Sequence, residues 1–274
     1  MKKINLITYS ALSAFTLNYS AVHAATVVWD GGGTDNLWSN AQNWVGDALP
    51  GVADKVEIGG SSVVDFDVIF SSTVPNGQVA IDLKDSARLN LSSGALTLTN
   101  GNFNTSPINF SANSVLNISG GTHQLLARTG SGESGTIRVT GDEANITFQQ
   151  GSYNGMFDFV LDDTGVSMIH INSWYALGGA SLNVDGSAFS GVGSFTLFDI
   201  AANGGINSTF DMGKVTITGF DSGTNWELQQ YDDAGRSIVK LNVTAVPEPS
   251  AAALLGLGSL SLILRRSRSY PQVR

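Results

Sequence analysis

The sequence predicts an all-β protein. Three observations carry that reading. Between Val63 and Val184, apolar residues alternate with polar ones in short segments: Leu89 and Leu91, Leu96 and Leu98, Leu116 and Ile118, Ile137 and Val139, Ile146 and Phe148. This two-residue period is that of strands with one buried face. Turn residues interrupt it about every ten positions, at Asn76-Gly77, Asn100-Gly101, Gly120-Gly121, Gly130 to Gly135 and Asn154-Gly155, where glycine and asparagine accept positive backbone angles. From residue 25 to 245, no stretch holds a helical period across three turns. Two architectures suit such a string, a right-handed β-solenoid and a jelly-roll β-sandwich. The short strands and the Asn, Ser and Thr at the corners favour the solenoid, in which stacked coils line up their side chains in ladders.

Taken in order, residues 1–24 read as a signal peptide. Lys2 and Lys3 form a basic start, Ile4 to Tyr19 is mostly apolar, and Val22-His23-Ala24 places small residues at the two positions a signal peptidase reads, with cleavage after Ala24. The partners this implies are the Sec translocase and signal peptidase. Residues 25–190 form the solenoid-like body, whose start is rich in tryptophan: Trp29, Trp38 and Trp44. A solenoid ends in an open sheet edge and a bare apolar interior, so bulky residues are needed there to close it. The same rings, with Trp174, are alternatively candidates for stacking on a glycan. Residues 191–245 carry longer strands, Ser194–Ile200, Lys214–Thr218, Trp226–Gln230 and Ser237–Val243, and are expected to form a terminal antiparallel meander, with Thr244-Ala245 as a linker.

Residues 246–268 complete the chain's plan. Val246-Pro247-Glu248-Pro249 leads into 14 uncharged apolar and small residues, Ala251 to Leu264, followed by Arg265, Arg266 and Arg268. As a helix the run reaches roughly 21 Å, short of a hydrocarbon core of about 30 Å. It reads as a short C-terminal membrane helix that holds the chain in the inner membrane transiently, with the arginines as its cytoplasmic stop.

The order of Pro-Glu-Pro, short apolar helix and terminal basic cluster resembles the PEP-CTERM sorting signal of exopolysaccharide-producing Gram-negative bacteria. The resemblance implies recognition by an exosortase, a membrane protease or transpeptidase, then removal of the tail and delivery of the body to the outer envelope, cell surface or extracellular matrix. It rests on Val246, Pro247, Glu248 and Pro249 and says nothing of the body's task. The Trp29-to-Ile58 segment in turn resembles the opening module of autotransporter-type β-helix surface proteins.

Composition narrows the chemistry. From Ala25 to Pro249 the chain holds eight basic residues and twenty-three acidic ones, a net of −15, which makes nucleic acid a poor partner. It has no cysteine, so disulfides, thiol nucleophiles and zinc–thiolate sites are excluded. His123 and His170 have no metal-like partner nearby in sequence and read as ordinary polar residues. Gly130-Ser131-Gly132-Glu133-Ser134-Gly135 only gestures at a nucleophile elbow, with no following helix. Carboxylates occur close together at Asp65 and Asp67, Asp142 and Glu143, Asp162 and Asp163, and Asp232 and Asp233; the first two are expected to share a strand face. In so acidic a chain such doublets are ordinary, and neither a catalytic residue, a metal site nor a cofactor is assigned. The expected function is a non-enzymatic surface or matrix protein, structural or adhesive, with extracellular polysaccharide as a partner. Two alternatives remain: a polysaccharide lyase or glycosidase with a carboxylate cluster beside Arg138, Arg128 or Lys84, and a glycan-binding module.

Overall fold

A computed structural model describes residues 25–74, 79–100, 107–129, 134–173, 175–201 and 209–245. After an opening strand, β1 (Thr26–Val28), the chain winds into a β-solenoid of about six coils. The first three coils have three strands each: β2 (Lys55–Ile58), β3 (Val63–Phe66) and β4 (Ile69–Val74); β5 (Ile81–Leu83), β6 (Arg88–Leu91) and β7 (Ala95–Asn100); β8 (Ile108–Phe110), β9 (Val115–Ile118) and β10 (Gly121–Thr129). The next three are built on two main strands each: β11 (Thr136–Thr140) and β12 (Ala144–Ser152); β13 (Met156–Asp162) and β14 (Ile169–Ile171), with the two-residue β15 (Tyr175–Ala176); β16 (Ser181–Ala188) and β17 (Gly193–Ile200). β18 (Val215–Thr218), β19 (Thr224–Asp233) and β20 (Arg236–Ala245) end the fold.

Three sheets result. The first is β1-β2-β5-β8 and stops after the third coil. The second is β3-β6-β9-β11-β13-β16-β18, and the third is β4-β7-β10-β12-β14-β17-β20-β19. Up to β17 and β18 every pairing between coils is parallel, which rules out the antiparallel jelly roll. The terminal meander is shorter than the sequence suggests. β17 and β18 continue the solenoid, and antiparallel pairing is confined to β20, against β17 on one side and β19 on the other. Thr244 and Ala245 belong to β20 rather than to a linker.

Alternation builds the interior. In β3, β6, β9 and β11 every second residue is buried, and these stack as Val64–Leu89–Leu116–Ile137 and Phe66–Leu91–Ile118–Val139. Where the first sheet ends, aromatic rings fill the space its wall leaves. Phe110 meets Tyr153 at 5.7 Å, Tyr153 meets Phe157 at 5.2 Å, and Phe157 meets Phe198 at 5.0 Å between ring centroids. The Tyr153 hydroxyl donates to the Gly135 carbonyl at 2.8 Å, so its one polar atom is satisfied inside.

Coil length is irregular. Successive partners in the second sheet, Val63, Arg88, Val115, Thr136, Met156 and Ser181, lie 25, 27, 21, 20 and 25 residues apart. The corner between the second and third sheets is tighter, and there the backbones nearly touch. Gly94 sits at φ +71°, and a Cβ on it would fall 2.3 Å from the Val68 carbonyl oxygen of the coil before. One coil on, Gly121 at φ +79° would place its Cβ 2.7 Å from the Gly94 oxygen. Gly94→Ala is therefore expected to cost at least about 1–2 kcal/mol from the left-handed backbone alone. The clash adds to that, and a lowered urea midpoint checks it.

Candidate functional site

The chain's functional features are distributed along the coil. At its start, Asn40 caps the short 3-10 turn Ala41–Asn43 by accepting from the Gln42 N–H, and this turn brings Trp44 back under Trp29. Trp29 and Trp44 meet edge to face at 5.0 Å, Trp38 and Trp44 at 4.8 Å, and Trp38 also contacts Phe66 and Phe70 of the first coil. The Trp44 Nε1–H donates to the Trp38 carbonyl at 2.9 Å. Asn43, fully buried, donates to Asp35 and to the Leu37 carbonyl, and accepts from the Gly33 N–H. Trp29, Trp38 and Trp44 are 6, 2 and 0 % exposed. All three rings are spent on closing the first coil, whereas stacking on a sugar needs an open ring face. Trp174 lies outside the described residues.

Along the second sheet the outward side chains form a polar ladder, Asp65, Asn90, Asn117, Arg138, Asp158 and Asn183, one from each coil in register. Asn90 donates to Asp65 at 2.8 Å, Arg138 Nε to Asp158 at 2.6 Å, and Asn183 to the other Asp158 oxygen at 2.7 Å. On the first sheet Lys55 and Asn109 both bond Asp82, at 3.0 and 2.9 Å, while Lys84 pairs with Glu57. The Glu57 hydrogen bond holds the Lys84 ammonium above its ordinary pKa. The cations of the enzyme alternative thus do sit beside acids; the side chain of Arg128 lies outside the described residues. Each of these acids ties one coil to the next. Asp65 and Asp67 do not act as a pair: Asp67 accepts from the Ser39 N–H and hydroxyl. Asp163 likewise accepts from Ser190, and Asp162 from Thr164 and Gly165; these hydrogen bonds hold both carboxyls below the usual range.

The two histidines among the described residues differ. His170 lies on the outer face, with Nδ1 3.3 Å from Asp199, which also accepts from Arg236. His123 is wholly buried. Its Nδ1 accepts from the Leu96 N–H at 3.3 Å and its Nε2–H donates to the Gly120 carbonyl at 2.6 Å, so the ring is held neutral. Burial pushes its pKa below 6.5. In acid the unfolded chain therefore binds a proton that the folded one refuses, and stability falls as pH drops below about 6.5. Urea unfolding at pH 7 and pH 5 is expected to show this loss, and His123→Gln to flatten the slope. Asp35, Asp162 and Asp163, depressed from 3.8 mainly by hydrogen bonds, act lower: their contribution is present above 3.8 and disappears in stronger acid.

The other end of the fold leads into the tail. β20 pairs with β19 through to Ala245, opposite Thr224, so the chain leaves the sheet at its last hydrogen-bonded residue. Val246, Pro247, Glu248, Pro249 and the arginines 265, 266 and 268 lie outside the described residues, as do Ala24 and the signal peptide. Among the described residues no helix is long and apolar enough to cross a membrane, and the apolar run 251–264 is not among them. Residues 245–268 match the PEP-CTERM protein-sorting motif. The PEP-CTERM match supports an exosortase substrate, exported to the cell envelope or surface. The match begins at Ala245, the last described residue of β20. No curated protein and no solved structure matches the chain.

One exposed aromatic escaped the sequence reading. Trp226, in the edge strand β19, is 45 % exposed, with Tyr231 at 41 %. Its neighbours Glu227 and Leu228 alternate as in any half-buried strand, so nothing in the pattern distinguishes it from a core residue.

Proposed function

We propose that the chain is a non-enzymatic structural or adhesive protein of the outer surface or extracellular matrix, which passes through the inner membrane only until an exosortase removes its tail. The observation that carries this reading is the PEP-CTERM motif that begins at the last described residue of a solenoid's final strand. A solenoid gains its stability from repeated coil-to-coil contacts and offers long, regular polar faces, which suits a rod that stands in a matrix. The best-placed carboxylates support the non-enzymatic part: Asp158 and Asp82 are buried and bonded to side chains of adjoining coils. In this scheme Sec and signal peptidase act first, after Ala24, and polysaccharide is met outside. Mass spectrometry of the C-terminal peptide from the fraction that holds the protein tests the reading. A chain ending before Ala251 outside the inner membrane is expected. A chain still ending at Arg274 in the inner membrane of a cell with an active exosortase would reject it.

A further inference from the structure

The two ends of the solenoid are finished differently. At the first coil, residues 36–38 lie along β3: the Trp38 N–H donates to Asp65 and the Asp65 N–H to Asn36, at 2.8 and 2.7 Å, while the indoles close the interior. At the last coil the third sheet runs one strand past the second. β20 stands level with β18, and β19 lies beyond it with no strand of the second sheet opposite among the described residues. Residues paired across antiparallel strands share a face, so Trp226, Leu228 and Gln230 point inward with their buried partners Val243, Leu241 and Val239. Leu228 is nevertheless only half-buried, as are Val215 and Ile217 of β18, whereas the residues they follow in register, Leu182 and Val184, are 1 and 0 % exposed. The free edge of β19 is open along Glu227–Tyr231. Phe210 and Met212 meet this inner face at Gln230, whose side chain accepts from the Phe210 N–H and donates to the Phe210 carbonyl; toward Leu228 and Trp226 no strand among the described residues forms a second layer.

We propose that a second copy of this chain supplies that layer, two solenoids lapping end to end with each β19 seated against the partner's β18. A step in which one layer outruns the other is complementary to itself under a two-fold rotation, so the contact is isologous and closes. The sense of the strands suits it. β19 is antiparallel to β20, and β20 to β17, so β19 follows the sense of β17. The chain travels one way along the second sheet and back along the third, so β19 meets the partner's β18 antiparallel. Charge agrees as well. Lys214 precedes β18, and Asp232 and Asp233 end β19, so antiparallel pairing brings each lysine toward the partner's acidic end. The inward rows then place Val215 and Ile217 beside the partner's Leu228 and Trp226. The isologous contact uses the step of both copies, and the interior at the other end is closed by Trp29, Trp38 and Trp44, so assembly stops at two.

Sedimentation of the processed protein collected from outside the cell tests this, and a single species of twice the chain mass is expected. Leu228→Asp puts a carboxylate into the lap and is expected to raise the dissociation constant at least about 30-fold, with an unchanged far-ultraviolet spectrum. Should that variant fail to fold, cysteine pairs serve, since the chain has no cysteine of its own. Thr216 and residues 227 and 229 face outward on opposite layers of one chain. Thr216→Cys combined with Glu227→Cys or with Gln229→Cys is therefore expected to cross-link two chains in at least one of the two pairings. A monomer in both processed and unprocessed protein would assign the surface to solvent or to the chain's own tail and overturn the proposal. An open-ended ladder of sizes would also overturn it, as would a dimer that tolerates Leu228→Asp while neither cysteine pair cross-links.

Discussion

Replacing Pro247, Glu248 and Pro249 with alanine is expected to abolish processing, leaving the chain full length to Arg274 and held in the inner-membrane fraction. The cause is conformational as much as chemical. Each proline fixes its own backbone near φ −65°, lacks an N–H and pushes the residue before it out of the helical region. Together they would stop a helix formed by the apolar run 251–264 from growing back toward the body. Three alanines, the best of helix formers, remove that stop and the one carboxylate beside it. The helix then runs toward Ala245, and the extended, charged feature an exosortase meets at the membrane surface is lost. The substitutions lie beyond β20, which spans Arg236–Ala245, so a change in destination without a change in unfolding midpoint isolates the sorting signal. Mass spectrometry of the C-terminal peptide reads the result, and an unaltered peptide in an unaltered fraction would remove the basis of the sorting argument.

The second large effect concerns the cap. Trp44→Ala is expected to destabilise the fold by about 3–5 kcal/mol, the range for deleting a large buried aromatic side chain. Three losses combine in that figure: the buried area, the edge-to-face contacts with Trp29 and Trp38, and the hydrogen bond to the Trp38 carbonyl, which is left unpaired in the interior. The cap closes β3, the strand from which the second sheet propagates, so the loss falls on the whole stack rather than on one turn. Urea unfolding measures it. Val52→Ala, at a site 66 % exposed, is the control and is expected to stay within about 0.5 kcal/mol of the parent. Equal shifts for the two substitutions would show that the tryptophans are not what closes the first coil.

Much of this protein can be read residue by residue because its information is local. The alternation of Leu89 and Leu91 or of Ile137 and Val139 is a two-residue period, visible in any window of five, and it announces strands with one buried face. The cap is legible for a similar reason: three tryptophans within sixteen residues have few soluble arrangements other than burial against an open apolar end. Pro247, Glu248 and Pro249 are read where they stand, because a proline's effect on the backbone belongs to itself and the residue before it.

Register is the part that local pattern does not carry. Coils of 20 to 27 residues in the second sheet leave no fixed period to detect, since each corner takes as many residues as its own turn and packing require. Only the register brings Asn90 beside Asp65, Arg138 beside Asp158 and Asn183 beside it in turn. The same stacking turns His123 inward, to be held between Leu96 and Gly120, although its position in an alternating segment also suits a surface residue.

Composition, alternation and the PEP-CTERM motif by themselves determined that this is an exported all-β chain with a closed start and a PEP-CTERM tail. Tertiary structure alone decided which polar groups meet, where the third wall ends, and that β20 folds back between β17 and β19 to leave an overhanging step. The physical reason is that a strand's pattern states which of its faces is buried but not which strand, some twenty or more residues away, will lie beside it; that choice is made by packing and backbone pairing once the coils are stacked.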